Sequence, residues 1–338
     1  MSYRCSPLAL FVIAVVLFAA CSNGEPVRSE IVMGTVCTVT LYDQGKAQLY
    51  HDVFSRIREI ENRMSANLPD SDVARINRAA GVSPVQVHEE VFAVIERALY
   101  FAEISQGAYE PSIGPIVSLW DVMGDNPRIP SQQEIDALLP VVNWRNVELD
   151  YTARTVFLRY PGMTLDLGGI AKGYAADEAA AIITKAGIKQ AIVDLGGNIL
   201  AVGVKQDNSP WRIGLQNPLE SRGDYFGIVT GPAQTVVSSG VYERFFEIDD
   251  VLYHHIFSPF NGKPVRNGLW AVTIVTANSM DADALSTAVF VMGYEKGMAM
   301  LESLEGVEAV FVFSDMTVRK TPGLDFALTD ESYQLIQQ

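Results

Sequence analysis

Two copies of an acidic-glycine turn flank one Ala-rich stretch, and this doubled motif constrains the fold more than any other feature. Residues 165–173 read Leu-Asp-Leu-Gly-Gly-Ile-Ala-Lys-Gly, and residues 194–198 repeat the first half as Asp-Leu-Gly-Gly-Asn. Paired glycines lack Cβ atoms, so a backbone can approach a ligand closely there. The first copy predicts a strand that runs into a helix over 174–187, with the helix N-terminus facing an anion. Tight strand–helix packing without a ligand is the alternative.

The N-terminus is typical of a lipoprotein signal peptide over residues 1–20. Arg4 precedes an apolar run over 8–20, which is too short to span a membrane comfortably. The stretch Phe-Ala-Ala-Cys ending at Cys21 resembles a bacterial lipobox with Phe where Leu is usual. We expect cleavage before Cys21, lipidation of its thiol and a tether over 21–28. An uncleaved N-terminal anchor is the alternative, and both place the body of the chain outside the cytoplasm.

Charge and cysteine content exclude several classes of protein. The formal net charge of −15 argues against nucleic-acid binding, which requires concentrated Lys and Arg. An anionic ligand would also need a local cation or a bound metal in this field. Once Cys5 is removed and Cys21 is acylated, Cys37 has no partner, so no disulfide framework is expected. Its alternating surroundings predict a small core residue in a strand.

Residues 29–338 are predicted to form one large domain, or two intimately packed lobes, of the α+β class with sheets flanked by helices. No linker divides this body, and helical patterns cluster early while short β-rich runs follow. Apolar spacing predicts helices over 46–64, 71–77, 88–104, 280–292 and 297–304, and a capping-box pattern from Ser131 to Glu134 opens another. Alternation predicts strands over 30–42, 147–149, 155–158, 191–193, 200–204, 212–215, 235–238, 245–248, 251–257, 270–276 and 307–313.

Asp166 and Lys172 bracket the first acidic-glycine turn. The Asp166 carboxylate can accept a hydrogen bond from a ring N–H or a hydroxyl of a ligand, and capping of the following helix is the alternative. Lys172 lies in the first turn of that helix, where a cation opposes the helix dipole and needs a counter-anion. A ligand phosphate and a surface glutamate are the two candidates for that anion.

Two further groups of residues can carry chemistry. Asp283 and Thr287 are spaced i, i+4, so their oxygens can share one hard cation such as Mg²⁺, although a plain helix-surface pair has the same spacing. A predicted strand delivers His255 to a Pro/Asn-Gly turn, where it can act as a general base or simply satisfy a hydrogen bond. The loop over 109–114 can wrap a flat ring or merely turn the chain. No P-loop, GxGxxG, GxSxG or CxxC motif occurs.

Taken together, these motifs resemble the ApbE family of FAD:protein FMN transferases. The resemblance covers nearly the whole mature chain. Each motif is weak alone, but together they occur in register. The matching segments are 33–35, 60–65, 70–77, 107–112, 166–173, 194–198, 239–244, 255–264 and 283–287.

The resemblance implies an ApbE-type fold, FAD as substrate and Mg²⁺ as the metal. It implies transfer of FMN from FAD to a Ser or Thr hydroxyl of a target flavoprotein, with release of AMP. The targets it implies are periplasm-facing flavoprotein subunits of inner-membrane electron-transfer complexes, reached from a lipid anchor at Cys21. His255 and Asp283 match catalytic positions, and Gly169 (through its carbonyl), Asp283 and Thr287 match metal ligands. Flavin-contact positions fall at Met33, Asn67, Ala108, Tyr109, Glu110, Asp166, Lys172, His255 and Ile256.

Asn67 and Glu110 depart from the family pattern. Many relatives carry an aromatic residue at the position of Asn67, and an Asp is common at the position of Glu110. A smaller polar residue at 67 leaves room for water, so we hypothesise that this chain also hydrolyses FAD to FMN and AMP. Two other functions remain open from the residues alone: an FAD-binding carrier lipoprotein without chemistry, and a generic solute-binding lipoprotein.

Overall fold

The computed structural model describes residues 26–43, 47–221 and 223–336. The expected signal peptide over 1–20 and the lipidated Cys21 lie outside the described residues, as does most of the tether. No helix within the described ranges has the length and apolar character needed to cross a membrane.

The first described element is a hairpin. It confirms the β structure predicted over 30–42 and the tight turn within it. Strand β1 (Val27–Val32) pairs antiparallel with β2 (Thr35–Leu41). The two-residue turn places Met33 at φ 54° and Gly34 at φ 69°. Positive φ at both positions defines the turn whose twist matches that of the flanking strands.

In the rest of the described chain, most helices come early and most strands come later. The helices are α1 (Ala47–Met64), α2 (Asp72–Arg78), α3 (Glu89–Ile104), α4 (Gly114–Trp120), α5 (Gln132–Leu138), α6 (Ala171–Lys185), α7 (Ser279–Met292) and α8 (Tyr294–Leu301). The remaining strands are β3 (Val85–Gln86), β4 (Val147–Asp150), β5 (Thr155–Leu158), β6 (Gln190–Leu195), β7 (Asn198–Gly203), β8 (Trp211–Gln216), β9 (Tyr225–Gly231), β10 (Thr235–Gly240), β11 (Phe245–Ile248), β12 (Val251–His254), β13 (Leu269–Thr276), β14 (Glu308–Phe313), β15 (Thr317–Lys320), β16 (Asp325–Leu328) and β17 (Gln334–Leu335).

A nine-stranded sheet in the order β1-β2-β6-β7-β10-β13-β14-β15-β17 organises the molecule. Smaller sheets comprise β16-β9-β8, β3-β5-β4 and the isolated pair β11-β12. Helices α1, α6 and α7 pack beside the large sheet, and their apolar residues share one continuous core with its strands. Cys37 is fully buried in that core, as expected. This arrangement confirms the α+β class.

The packing of α6 against α7 depends on one glycine. A Cβ atom at Gly173 would stand 2.1 Å from the backbone carbonyl oxygen of Ser279, so only glycine allows the two backbones to approach this closely. The contact sets the start of α6 beside the start of α7. It thereby brings Lys172 and Asp283 together, although they are far apart in sequence.

The two acidic-glycine turns differ in structure. The strand predicted before the second turn is confirmed by β6, and Gly196 (φ 70°) and Gly197 (φ 93°) form the tight turn of the β6–β7 hairpin. The strand predicted before the first turn is wrong, because Thr164 forms only an isolated parallel bridge with Ile113, and residues 168–170 form a turn that leads into α6.

Other boundaries shift for local reasons. Strand β12 ends at His254 rather than at 257, because the chain enters the Pro/Asn-Gly turn there. Elements α4, β9, β15 and β16 were not predicted, since each is short and lacks a long periodic pattern.

Candidate active site

The buried carboxylate of Asp283 lies at the centre of the site. Its Oδ2 accepts a hydrogen bond from the backbone N–H of Gly173 at 3.0 Å, and its Oδ1 lies 3.4 Å from Nζ of Lys172. Lys172 also donates to the carbonyl oxygen of Gly168 at 3.0 Å. The anion at the start of α6 is therefore Asp283 itself. Among the described residues this anion takes the place of the surface glutamate, and binding of a ligand phosphate by Lys172 stays a prediction.

Hard oxygen donors gather around the same carboxylate. A Cβ atom at Gly169 would stand 3.3 Å from Oγ1 of Thr287, so the Gly169 backbone and the Thr287 hydroxyl are neighbours. Thr287 lies one turn after Asp283 and donates weakly to its backbone carbonyl at 3.4 Å. The carboxylate, the hydroxyl and the nearby backbone carbonyls form an oxygen donor set of the kind that Mg²⁺ prefers. The described residues contain no cluster of three or more His, Cys, Asp or Glu side chains suited to a metal.

Tyr109 provides a second sign that the site is shaped for a ligand. Its ring lies against Gly169, where a Cβ would stand 3.3 Å from Cε2. Its hydroxyl oxygen is buried and has no hydrogen-bond partner among the described residues. Burial raises the Tyr109 pKa well above its ordinary value, and the charges of Asp283, Asp166 and Glu110 add to the effect. An orphaned buried hydroxyl is costly, so a bound group that hydrogen-bonds to it would stabilise this arrangement.

Three separate segments fix the position of Asp166. Its backbone N–H donates to the carbonyl oxygen of Pro111 at 2.8 Å, which ties it to the 109–114 loop. Asn77 on α2 holds the preceding Leu165 through both its N–H and its carbonyl oxygen. The Asp166 carboxylate accepts from the Gly168 N–H at 2.7 Å. It therefore stabilises the turn that leads into α6, while its other oxygen accepts no hydrogen bond from the described residues.

Glu110 and Ala108 are buried, and Glu110 organises the loop from inside. Its carboxylate accepts hydrogen bonds from the Ser112 N–H and hydroxyl and from the Trp144 N–H. Burial raises the pKa of Glu110, and those three donors lower it in part. The described contacts of Glu110 are thus structural ones that shape the loop around Tyr109.

His255 is presented by the base of the β11–β12 hairpin. Its backbone N–H donates to the carbonyl oxygen of Arg244 at 3.2 Å, and its imidazole Nδ1 lies 3.2 Å from the same oxygen. A carbonyl can only accept, so Nδ1 carries the proton and Nε2 keeps a lone pair. Burial, with Arg244 and other cations nearby, lowers the His255 pKa to about 3. The ring is therefore neutral at physiological pH and its Nε2 can accept a proton.

The adjacent His254 has a different role. Its Nε2 donates to the carbonyl oxygen of Val265 at 2.8 Å, and its Nδ1 accepts from the backbone N–H of Ile256 at 3.2 Å. Both ring nitrogens are thus satisfied within the protein, and Ile256 is buried beside them. Among the described contacts, His255 is therefore the one of these two histidines that keeps a ring nitrogen, Nε2, available to a ligand.

The described contacts bring the Met33 turn, but not Asn67, near residues of the site. The Met33 N–H donates to Oε1 of Glu61 at 2.8 Å, which fixes the β1–β2 turn on α1. The next residue in that turn, Gly34, faces the Arg244 guanidinium, which would lie 3.9 Å from a Cβ there. Asn67 is exposed just beyond the end of α1, and the described contacts do not join it to Asp283 or His255.

The sequence analysis missed the residues that hold the start of α7 in place. The Asp177 carboxylate on α6 accepts from the backbone N–H groups of Ser279 and Met280, at 3.0 and 2.9 Å. Burial raises its pKa to about 6. The Ser279 hydroxyl bonds to Asn198 and Thr235 in the large sheet. Asp177 is an ordinary polar position on α6, so only the contact between α6 and α7 reveals its role.

The structure thus defines an α+β protein whose site joins a buried carboxylate, a lysine and a neutral histidine. The chain belongs to the ApbE family, whose family model matches residues 33–311.

Several known proteins share this architecture. The FAD:protein FMN transferase of Treponema pallidum (strain Nichols) is 40% identical over 314 residues, which cover 88% of this chain and 87% of that protein. One from Klebsiella pneumoniae (strain 342) is 37% identical, covering 91% and 96%. The crystal structure of the ApbE protein of Thermotoga maritima has a TM-score of 0.79 at 32% identity, covering 90% of this chain and 97% of that one. The flavin transferase ApbE of Vibrio cholerae has a TM-score of 0.76 at 26% identity, covering 91% and 97%.

Proposed function

We propose that this chain is an FAD:protein FMN transferase, an enzyme that moves FMN from FAD to a Ser or Thr hydroxyl of an acceptor flavoprotein. The observation that carries the proposal is the geometry of His255, whose Nδ1–H is fixed on the Arg244 carbonyl while Nε2 accepts no hydrogen bond from the described residues. A hydroxyl is a weak nucleophile, and a base of this kind removes its proton during attack. The names of the relatives support the same reaction.

The transfer exchanges one phosphorus–oxygen bond for another. The acceptor hydroxyl oxygen attacks the phosphorus of the FMN half of FAD, and its proton passes to Nε2 of His255. The bond between that phosphorus and the bridging oxygen breaks, and AMP leaves with the bridging oxygen. Lys172 lies between Asp283 and the Gly168 carbonyl, where its charge can offset that of the pyrophosphate. This cation matters because the net charge of −15 would otherwise repel the substrate.

We further propose that Mg²⁺ binds beside Asp283. The Asp283 carboxylate, the Thr287 hydroxyl and the backbone carbonyl of Gly169 would hold it. When bound, the ion would neutralise negative charge that develops on the phosphoryl oxygens. The buried Asp283 carboxylate and the contact between Gly169 and Thr287 support this placement.

Residues from five segments would bind the flavin substrate. Tyr109 has the orphaned hydroxyl and a ring beside Gly169, and Ala108 and Glu110 shape the loop on either side of it. Asp166 keeps an oxygen available for a polar group of the ligand. Met33, Lys172 and Ile256 complete the set of proposed contacts, and Asn67 lies at its exposed edge.

Water can replace the acceptor hydroxyl in this chemistry, so we also propose FAD hydrolysis to FMN and AMP. The exposed Asn67, where many relatives carry an aromatic residue, supports water access. A carrier role without chemistry does not explain the neutral His255. The relatives' names do not favour a carrier role either. Intact FAD after hours with Mg²⁺ alone would overturn the hydrolysis proposal.

We place the enzyme on the periplasmic face of the inner membrane, anchored through a lipidated Cys21 after removal of residues 1–20. From there it would act on periplasm-facing flavoprotein subunits of electron-transfer complexes. The lipobox-like sequence supports this location. Replacement of Cys21 by Ser should release the protein from the membrane fraction. Retention of the C21S variant in that fraction would argue for an uncleaved anchor instead.

Mass spectrometry of a reaction with FAD and Mg²⁺ tests the proposed transfer. The mature protein is incubated with and without a periplasmic flavoprotein domain that carries the acceptor threonine. An FMN adduct on the acceptor, with AMP in solution, is the expected result. FMN and AMP without an adduct would indicate a hydrolase, and intact FAD in both reactions would favour a carrier.

A further inference from the structure

The β11–β12 hairpin is a two-stranded ribbon that starts and ends at the site. Within the described residues these strands pair only with each other. The ribbon closes in a two-residue loop with Asp249 at φ 52° and Asp250 at φ 58°, which is the favoured hairpin turn geometry. At its base, His255 donates its N–H to the Arg244 carbonyl. A polypeptide that lies along the ribbon would therefore run toward His255, the proposed base.

The ladder pattern identifies the free edge of the ribbon. Antiparallel pairs alternate between hydrogen-bonded and non-hydrogen-bonded, and the backbone groups of the latter point outward. Since Arg244 and His255 are bonded, the outward residues are Phe245 and Glu247 on β11 and Leu252 and His254 on β12. The Leu252 carbonyl is covered, because the Arg266 guanidinium donates to it at 2.8 Å. No hydrogen bond of the described residues covers the outward groups of β11.

One face of the ribbon is held firmly by aromatic packing. The rings of Phe246 and Tyr253 stack at 5.3 Å between centroids, and Tyr253 packs on Trp120 at 5.9 Å. Trp120 in turn donates its indole N–H to the Gly262 carbonyl at 2.8 Å. The ribbon is thus anchored to the body of the protein, and its β11 edge is a preformed template for another strand.

Apolar and acidic side chains surround that edge. Phe245 is 43% exposed, and Ile248 and Val251 are each 38% exposed. Glu247 is exposed between them, as are both aspartates of the loop. A second copy of this chain would bring the same acidic residues face to face, which like-charge repulsion disfavours. An extended segment with apolar and basic side chains complements this edge in both respects.

We propose that the outer edge of β11 is the docking strand for the acceptor polypeptide. A segment of the acceptor, with a Lys or Arg beside its apolar residues, pairs with the outward backbone groups of Phe245 and Glu247 as a third strand of the ribbon. The same segment continues past Arg244 and brings its Ser or Thr hydroxyl to Nε2 of His255. This inference rests on the proposed transferase function and names the surface by which the protein substrate is recognised.

Four single variants and two controls test the edge. Phe245→Ser removes an apolar contact, Glu247→Lys reverses the charge, and Glu247→Pro removes the outward N–H without breaking a bond to β12. Glu247→Ala controls for loss of the side chain alone. Leu219→Ser and Glu305→Lys are matched controls, since Leu219 is 56% exposed and Glu305 is an exposed acid on the loop before β14.

The readouts are the KM for the acceptor domain in FMN transfer and the affinity for FAD by fluorescence titration. We expect each of F245S, E247K and E247P to raise the acceptor KM by about tenfold, the equivalent of one lost contact of ~1.4 kcal/mol. Affinity for FAD and the thermal midpoint should stay unchanged, and L219S and E305K should behave as wild type. The KM of the wild type should rise with salt, and that of E247K should rise less.

The outcomes separate the docking inference from the proposed function. Wild-type transfer together with an unchanged acceptor KM in F245S, E247K and E247P would overturn the docking strand alone. Failure of the wild type to transfer FMN would overturn the proposed function, and the docking inference with it. An equal rise of KM in E247A and E247P would show that the side chain, and not the strand edge, binds the acceptor, which also contradicts the inference.

Discussion

The backbone carbonyl of Arg244 lies 3.2 Å from the imidazole Nδ1 of His255 and fixes which nitrogen of that ring carries the proton. The same carbonyl accepts the backbone N–H of His255, so ring and backbone are held by one oxygen. Because the contact is to the main chain, it depends on the hairpin register and not on the identity of residue 244. The free Nε2 follows directly from this arrangement.

Replacement of His255 by Gln should lower FMN transfer by about 10²- to 10⁴-fold, the range expected when a general base is lost. Binding of FAD should persist, because the amide is similar in size and polarity. Single-turnover transfer and FAD titration on the same preparation measure the two effects. Arg244→Lys, which keeps the backbone contact, serves as the control for the ring orientation. Transfer by H255Q at the wild-type rate would contradict the assignment.

The depressed pKa of His255 makes a distinct prediction for pH. With a pKa of about 3, the ring stays neutral from pH 8 down to 5, so the transfer rate should show no acid limb near 6.5 caused by this residue. The folded pKa lies below the unfolded value, so unfolding takes up a proton. His255 therefore contributes stability that is present above pH ~6.5 and decreases as the pH falls toward 3. A rate profile with a limb near 6.5 that H255Q removes would refute this.

Asp283→Ala should abolish Mg²⁺-dependent turnover while FAD binding persists, because it removes the only charged ligand of the proposed metal site. Retained Mg²⁺-dependent turnover in D283A would disprove the ligand assignment.

Lys172→Met should behave differently from D283A. It leaves a buried carboxylate without its cation, so it should destabilise the fold by ~1–3 kcal/mol. Added Mg²⁺ should restore more stability than it gives to wild type. Thermal midpoints of K172M and wild type, with and without Mg²⁺, measure the loss and its restoration.

Gly173→Ala should separate α6 from α7 and damage both stability and activity. The added Cβ would meet the Ser279 carbonyl oxygen at 2.1 Å, and neither atom belongs to a side chain that can turn away. Overpacking of this kind costs about 1–3 kcal/mol. Gly187→Ala is the control, because it introduces only strain at φ 82° with no atom within 4 Å. Chemical denaturation and turnover should therefore show loss of activity in G173A alone.

Asp177→Asn should cost less stability at pH 7 than at pH 4. Burial raises the pKa of Asp177 to about 6, above the ordinary 3.8. Unfolding therefore releases a proton when the pH lies between these two pKa values. The contribution of Asp177 to the free energy of unfolding therefore decreases as the pH rises from 4 to 6, and the variant lacks this decrease. Urea unfolding of both proteins across that range gives the difference. A destabilisation that grows with pH would contradict the burial argument.

The sequence by itself determined the regular elements whose signals are local. The amphipathic pattern before Met64, the capping box from Ser131 to Glu134 and the turn at Met33 and Gly34 all appear where they were predicted. The neighbouring spacing of Asp283 and Thr287 is likewise fixed by the helical period. Backbone propensity and side-chain periodicity act over a few residues, so a sequence shows them directly.

The tertiary structure alone decided how these elements become a site. Lys172 finds its anion in Asp283, more than a hundred positions away, because Gly173 lets α6 and α7 touch. The second acidic-glycine turn closes a hairpin, whereas the first leads into a helix, although both read Asp-Leu-Gly-Gly. The sequence alone does not distinguish the roles of His254 and His255. In the fold, both ring nitrogens of His254 bond within the protein, whereas His255 bonds to the described residues through Nδ1 alone. Charge pairing, burial and hydrogen-bond partners depend on distances across the fold, and local sequence patterns do not specify these.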